Sequence, residues 1–236
     1  MPLLMSFQSI AISARKSLVK KIFWHTVRYF TGLLDYTRHY AISSFSLIKD
    51  YYSDKKLNIQ TDETYHFQDN SSLFKDGQIY QPTPYYMLEK IVDYLKPKPE
   101  DILVDFGSGK GRVVFFMALQ RLKKVTGLEL NRELIDIAQK NLNSFSLSHS
   151  PIEFVNADAS TFRIQDESIF FMFNPFGSKT IGKVIDNIKH SLITNPRQVQ
   201  IVYYSPAYRN LLYSQDWLSL RKDIDNGGCL IWHNKS

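Results

Sequence analysis

Three glycines at alternate positions, Gly107, Gly109 and Gly111, constrain the fold of this chain more than any other feature. Residues 102–104 before them are apolar and long enough for one buried strand, and residues 112–122 after them carry apolar side chains at helical spacing. Glycine lets the backbone approach a ligand closely, and a helix begins with N–H groups that have no partner inside the helix. The stretch therefore predicts a strand, a nucleotide-holding turn and a helix.

The spacing of the glycines separates this turn from two common phosphate-binding turns. Dinucleotide-binding folds use G-x-G-x-x-G and P-loops use G-x-x-x-x-G-K-[ST], whereas this chain has G-x-G-x-G. Asp105 stands two residues before the first glycine, and an acid in that place suits a cationic ligand. A tight turn that binds nothing is the alternative interpretation of the three glycines.

Glu129 favours the ligand-binding interpretation. Residues 124–130 have the pattern of a second strand with this acid at its end, twenty residues after Gly109. Doubly wound folds place an acid at this distance, where it accepts hydrogen bonds from ribose hydroxyl groups. A solvated acid at a strand end is the alternative. Asn131 is predicted to cap the helix that follows.

The motif Asp105-x-Gly107-x-Gly109-x-Gly111, followed by Glu129, resembles the first motif of the class I S-adenosylmethionine (SAM)-dependent methyltransferases. The resemblance implies SAM as the cofactor, and its amino group and sulfonium suit an acid at this turn. It also implies that an acid after the third strand, or the N–H group of the next residue, binds the adenine amino group. The implied contacts in the core of the domain are Asp105, Gly107, Ser108, Gly109, Gly111, Glu129, Asp158 and Ala159.

The segment Tyr80-x-Pro-Thr83 resembles the stretch before the first motif in the lysine methyltransferases that lack a SET domain, and in their small bacterial relatives. In class I enzymes a helix just before the first strand folds over SAM, and here a helix is predicted over residues 84–95. Tyr80 and Thr83 are therefore candidate cofactor contacts. Plain helix capping by Thr83, with Pro84 in the first turn, is the alternative.

The tripeptide Asn174-Pro175-Phe176 follows an apolar strand predicted over residues 169–173, at the end where ligands bind in open α/β sheets. It resembles the Asn-Pro-Pro-Tyr/Phe signature of enzymes that methylate planar amino groups in adenine or glutamine. One proline is missing, and neither alignment of the tripeptide restores the signature. A proline that merely ends the strand is the alternative. The candidate acceptor residues are Asn174, Pro175 and Phe176, with Tyr203 and Tyr204 lining the pocket.

The order of elements predicts an α/β fold with a doubly wound, seven-stranded, mostly parallel sheet. A terminal antiparallel hairpin is predicted from strands at 218–224 and 229–233 joined through Asp225-Asn-Gly-Gly228. We divide the chain into a basic helical extension at 1–50, a linker with little regular structure at 51–79 that could close over the cofactor, and a methyltransferase domain at 80–236.

The positive charge is concentrated in the extension, where seven basic and two acidic residues supply five of the six net charges. We weigh three interpretations of this segment: a helix packed on the core with a solvated basic face, a helix that binds an anionic membrane surface or partner, and a targeting segment over residues 1–34. Because the remaining chain carries a net charge near +1, the basic composition alone does not indicate nucleic-acid binding.

The sequence predicts an enzyme that transfers a methyl group from SAM to an amine, with a protein lysine favoured. The alternatives are the adenine amino group of a nucleic acid, a small-molecule acceptor, and a SAM-fold binding module without transfer activity. Six scattered histidines and a single cysteine, Cys229, predict no metal site and no internal disulfide framework. The expected location is the cytoplasm, with a peripheral membrane position or organelle targeting as alternatives.

Overall fold

A computed structural model describes residues 46–62 and 80–235 of the 236-residue chain. Two compact units divide the chain, Met1–Ile48 and Lys49–Ser236. The first unit lies almost entirely outside the described residues, and so does the stretch 63–79. The predictions for the basic extension and for most of the linker therefore stay predictions. Within the described ranges, no helix is both long enough and apolar enough to cross a membrane.

Seven strands form one sheet in the order β3-β2-β1-β4-β5-β7-β6. The first five strands pair in parallel, and β7 pairs antiparallel with both β5 and β6. This confirms the predicted doubly wound sheet with a terminal hairpin. The strands are β1 Ile102–Phe106, β2 Lys124–Glu129, β3 Ile152–Asn156, β4 Ile169–Phe173, β5 Gln200–Tyr204, β6 Leu218–Ile224 and β7 Cys229–Asn234.

Helices cover both faces of the sheet. They are α1 at 46–57, α2 Tyr85–Leu95, α3 Arg112–Ala118, α4 Arg132–Ser144, α5 Ser178–Thr194 and α6 Asn210–Tyr213, with a 3-10 turn at Ala159–Thr161. Because side chains alternate along a strand, neighbouring residues of β4 enter different layers. Phe171 packs with α2 and α3 on one face, and Phe170 packs with α5 on the other. This burial of β4 on both faces explains its uninterrupted apolar sequence.

The structure differs from the sequence prediction at residues 51–57, which are helical and continue from residue 46. The polar composition of this stretch suggested a linker, but its fourth and seventh residues, Asp54 and Leu57, are buried with Asp50 and Thr61. These four positions lie on one side of a helix and its exit. The second compact unit accordingly begins at Lys49, one residue before Asp50, the first buried residue of α1, and not at residue 80.

Candidate cofactor and acceptor site

The glycine turn leaves β1 at the carboxyl edge of the sheet and is fastened to β2. The backbone N–H groups of Gly107 and Ser108 both donate to the carbonyl oxygen of Leu128, at 2.8 and 3.0 Å. Gly107, Gly109 and Gly111 have φ values of 80°, 54° and 94°, which residues with a side chain rarely adopt. The three glycines are therefore required by the path of the backbone.

Two other predicted site residues pack directly on this turn. A side chain at Gly109 would overlap the ring of Tyr80, and a Cβ at Gly107 would lie 2.5 Å from the Cβ of Pro175. Residues that are distant in the sequence thus meet at the turn because glycine leaves room for them. The structure brings together the turn, the segment before α2 and the exit of β4.

Glu129 ends β2 beside the turn and holds it through its carboxylate. One oxygen, Oε2, accepts from the N–H of Gly109 at 3.0 Å, and Oε1 accepts from the N–H of Asn131 at 2.8 Å. Burial raises the pKa of Glu129, and these backbone donors oppose the rise. The predicted acid of the second strand therefore lies at the glycine turn, and Asn131 caps α4 as predicted by accepting from Glu133 and Leu134.

Asp105 and Ser108 are the buried polar residues on the β1 side of the turn. Asp105 is 3% exposed, and burial raises its pKa well above the ordinary range, with the charge of Glu129 adding to the rise. The Ser108 hydroxyl is buried without a hydrogen-bond partner among the described residues. A site with two carboxylates of raised pKa and an unpaired hydroxyl suits a ligand that carries a positive charge and hydrogen-bonding groups.

A buried ionic network, not found from the sequence, fixes Tyr80 on the turn. The Tyr80 hydroxyl donates to the carbonyl oxygen of Thr61 at 2.9 Å, and the Thr61 hydroxyl accepts from Arg112 Nε at 2.6 Å. Arg112, the first residue of α3, also donates to Asp50 at 2.8 Å and to Asp54 at 3.5 Å. The network therefore joins α1 to the helix that begins at the glycine turn.

The beginning of α2 belongs to the same network, which excludes the alternative interpretation of Thr83 as the helix cap. No side chain next to the helix caps it; instead Asp50 Oδ1 accepts from the N–H of Tyr85 at 3.0 Å. Thr83 is buried and does not cap the helix, and its role as a cofactor contact stays a prediction. Burial raises the pKa of Asp50, although the Tyr85 N–H and Arg112 oppose the rise. A signal was present in the sequence, since Asp50, Asp54 and Leu57 follow helical spacing.

Asp158 and Ala159 follow β3 at the same edge of the sheet. Asp158 is exposed, and its Oδ1 accepts from the N–H of Ser160 at 2.8 Å, which caps the 3-10 turn. Ala159 is buried in the layer on the α5 face. Part of the Asp158 carboxylate therefore serves the turn itself.

The exit of β4 holds the predicted acceptor residues. Asn174 is half-buried with φ of 36°, and its Oδ1 accepts from the hydroxyl of Tyr203 at 3.3 Å. Pro175 packs on Gly107, whereas Phe176 packs against the core on the α5 face. The three consecutive residues thus point to different neighbours. Asn174 presents the polar group, and Pro175 joins the acceptor side to the glycine turn.

The strand order, the terminal hairpin, the glycine turn and Glu129 together define a class I SAM-dependent methyltransferase. A family model described as ribosomal RNA adenine dimethylase matches residues 70–194, more than half of the chain. The chain belongs to this family.

Similar proteins agree with this class. Ribosomal RNA small subunit methyltransferase A from Prochlorococcus marinus is 28% identical over 141 residues, 58% of this chain and 45% of that protein. A protein-lysine N-methyltransferase from Saccharolobus islandicus is 34% identical over 64 residues, 27% of this chain and 40% of that protein. The chain thus spans less than half the length of the curated relatives it matches. A putative methyltransferase, yhhF from Escherichia coli, has the same fold, with a TM-score of 0.53, 19% identity, and coverage of 66% of this chain and 89% of that chain.

The residues at the turn fit SAM, the cofactor of this class. The amino group and sulfonium of SAM carry positive charge, which would stabilise the buried carboxylates of Asp105 and Glu129. The Ser108 hydroxyl can pair with a polar group of the ligand.

Proposed function

We propose that this protein transfers a methyl group from SAM to the exocyclic amino group of an adenine in RNA. The family match and the resemblance to ribosomal RNA small subunit methyltransferase A support an RNA acceptor. The structural observation that carries the proposal is the side-chain amide oxygen of Asn174, Oδ1, at the exit of β4. It lies next to Pro175, which packs on the glycine turn. This oxygen can accept a hydrogen bond from an amino group and hold its nitrogen towards the cofactor.

The chemistry of this corner suits an acceptor that needs no prior loss of a proton. Burial raises the pKa of Tyr203, the group that touches Asn174, to about 12, so its hydroxyl is even less able than that of an ordinary tyrosine to ionise and take a proton from an ammonium near pH 7. A lysine ammonium has a pKa of about 10.4 and must lose a proton before its nitrogen can attack. The amino group of adenine is already uncharged and presents N–H donors. The residues around Asn174 therefore favour adenine over lysine.

Alignment of the two reactants is the main task left to the protein. When bound, SAM would supply a methyl group on a sulfonium that needs no further activation: the S–CH3 bond breaks as the N–CH3 bond forms, S-adenosylhomocysteine leaves, and the methylated nitrogen gives up one proton to water. Holding the acceptor nitrogen in line with that methyl group lowers the barrier by about 7–11 kcal/mol. In this proposal Asn174 and Pro175 position the acceptor. The cofactor residues are the glycine turn with Ser108, together with Tyr80, Thr83, Asp105, Glu129, Asp158 and Ala159.

A protein lysine is the second candidate. The sequence favoured it because of the Tyr80-x-Pro-Thr83 segment, and the short match to a protein-lysine N-methyltransferase from Saccharolobus islandicus supports it. The family match favours the nucleic-acid alternative instead, and it extends over a much larger part of the chain.

Transfer of label from radioactive SAM into host-cell lysate tests the proposal. We expect label that is lost after nuclease treatment and kept after protease treatment, and that migrates as N6-methylated adenosine after digestion. Asn174→Ala should lower transfer at least a hundred-fold, because the acceptor loses the group that orients it. The same variant should bind S-adenosylhomocysteine within about two-fold of wild type in calorimetry, because Asn174 is assigned to the acceptor.

The two treatments give a clear contrary outcome. Label that protease removes and nuclease leaves would favour the lysine candidate, and label in a low-mass fraction would indicate a small-molecule acceptor. Wild-type protein that binds NAD but not S-adenosylhomocysteine would reject the cofactor assignment itself.

A further inference from the structure

The hydroxyl of Tyr203 connects two polar groups at the acceptor side of the site. Tyr203 lies in β5 and is fully buried, with an exposed fraction of 0%. Its oxygen accepts from the backbone N–H of Tyr208 at 3.4 Å, and it donates to Asn174 Oδ1 at 3.3 Å. Asn174 at the exit of β4 is thus joined by one short hydrogen-bond relay to Tyr203 at the end of β5 and to Tyr208 just after it.

The direction of this relay is set by its first member. A backbone N–H can only donate, so it uses a lone pair of the Tyr203 oxygen and leaves the hydroxyl proton to be placed elsewhere. The amide oxygen of Asn174 takes that proton. If the amide were turned, its NH2 group would face the Tyr203 hydroxyl, and the buried hydroxyl proton would lose its acceptor. The relay therefore keeps the carbonyl oxygen of Asn174 in place.

The backbone of Asn174 limits the side chain in a second, independent way. Asn174 has φ of 36°, in the left-handed region that asparagine tolerates better than most residues. The next residue, Pro175, packs its ring against Gly107. The backbone at Asn174 is thus fixed by the packing of Pro175 on the glycine turn, and the side-chain amide is fixed by its hydrogen bond with Tyr203.

We infer that Tyr203 is a positioning residue that orients the Asn174 amide so that the site accepts a hydrogen bond from the nitrogen to be methylated. The second lone pair of the oxygen remains able to accept from the substrate. An exocyclic amino group can donate to it, whereas a ring nitrogen without hydrogen, such as N1 of adenine, can only accept. Tyr203 therefore contributes to the choice of an amino group over a ring nitrogen. This inference rests on the proposed function.

Tyr203→Phe tests the inference because it removes only the hydroxyl and keeps the buried ring. We expect kcat for label transfer from SAM into lysate to fall about ten-fold, with the Kd for S-adenosylhomocysteine within two-fold of wild type. The matched control is Tyr94→Phe, a tyrosine near His233 at the opposite edge of the sheet, which should leave kcat unchanged. Equal losses in both variants would indicate a general effect of the lost hydroxyl and would overturn the inference.

A double variant separates positioning from simple structural support. If Tyr203 acts through Asn174, adding Tyr203→Phe to Asn174→Ala should lower transfer no further than Asn174→Ala alone. Losses that multiply in the double variant would show that Tyr203 acts independently of Asn174 and would refute the relay.

A spectroscopic measurement keeps the test independent of activity and acceptor. The side-chain amide signals of Asn174 in a 15N-labelled sample are identified by their absence in Asn174→Ala, and they should shift in Tyr203→Phe but not in Tyr94→Phe. Unshifted signals would overturn the inference whatever the acceptor is. Conversely, label in protein together with shifted signals and a ten-fold lower kcat would reject the RNA proposal and retain Tyr203 as the positioning residue.

Discussion

Asp105 and Glu129 place two acidic groups of raised pKa at one turn. Burial is the main cause at both residues, and the charge of Glu129 adds to the rise at Asp105. In the absence of a cation, each unit by which a carboxyl pKa is raised destabilises the folded protein at high pH by about 1.4 kcal/mol. A positively charged cofactor removes this destabilisation, because it pairs with the two buried carboxylates. The free energy that the carboxylates cost in the free protein is therefore recovered when the cofactor binds.

We expect Asp105→Asn to raise the melting temperature of the free protein and to weaken cofactor binding. The pKa of Asp105 is higher in the folded protein than its unfolded value of about 3.9. Between these two pKa values the folded state binds more protons than the unfolded state, so the folded protein gains stability as the pH falls through that range. Thermal scans at pH 8 and pH 5 should show a Tm about 3–6 °C higher in the variant at pH 8 for each unit of raised pKa, with the difference shrinking at pH 5.

The difference in Tm between the two proteins should narrow when ligand is present. Saturating S-adenosylhomocysteine should raise the Tm of wild type more than that of Asp105→Asn, because the variant binds at least ten-fold more weakly. A variant that melts below wild type at pH 8 would mean that the Asp105 carboxylate stabilises the free protein.

At the scale of elements, the buried network around Arg112 joins α1, α2 and α3. The guanidinium pairs with two carboxylates and lies 4.8 Å from the centre of the Tyr85 ring, whose hydroxyl donates to Asp54 at 2.6 Å. Arg112 is 2% exposed. Because the carboxylates of α1 cap α2 and bind α3, these helices depend on one another.

Arg112→Met should lower the free energy of unfolding by about 3–5 kcal/mol, since it leaves Asp50 and Asp54 buried without their cation. Urea unfolding measures the loss. The matched control is Lys90→Met, which breaks an ion pair with Asp225 whose side chains are 48% and 44% exposed and which should change stability by about 0–1 kcal/mol. A similarly small change in the free energy of unfolding in both variants would mean that the Arg112 network does not stabilise the contact between these helices. Adding Asp54→Asn to Arg112→Met should recover part of the loss.

The strands and the glycine turn could be predicted because each has a local pattern. The apolar run of β4, the spacing between Gly109 and Glu129, and the turn in the hairpin all depend on residues close together in sequence. The helical spacing of Asp50, Asp54 and Leu57 indicates a helix, but the partner of that helix could not be predicted, because Asp50 and Arg112 are 62 residues apart. In the candidate site, the packing of Phe176 on the α5 face was likewise decided by tertiary contacts.

At the scale of the whole molecule, the compact unit beginning at Lys49 sets where the chain can be shortened. The sequence pattern puts the end of the extension at residue 50, but Asp50 caps α2 and pairs with Arg112. The boundary of the cofactor-binding unit therefore lies before this residue.

Two truncations that differ by only two residues test this boundary. Deleting residues 1–48 should keep the Kd for S-adenosylhomocysteine within about three-fold, whereas deleting residues 1–50 should lower the Tm by several degrees, because Tyr85 and Arg112 lose a buried partner. Calorimetry and thermal scans measure both effects. Equal behaviour of the two proteins would reject a structural role for Asp50, and loss of binding in the shorter deletion would place part of the cofactor site within residues 1–48.

The joint between α1 and α3 also has a consequence for synthesis on the ribosome. Asp50 leaves the exit tunnel 62 residues before Arg112, which at about 5–20 residues per second is a delay of about 3–12 s. During that interval the two carboxylates of α1 stay hydrated, because the cation that pairs with them in the folded protein has not been synthesised. Only when Arg112 emerges can they be enclosed, so α1 is made before α3 but docks only after the glycine turn has been synthesised.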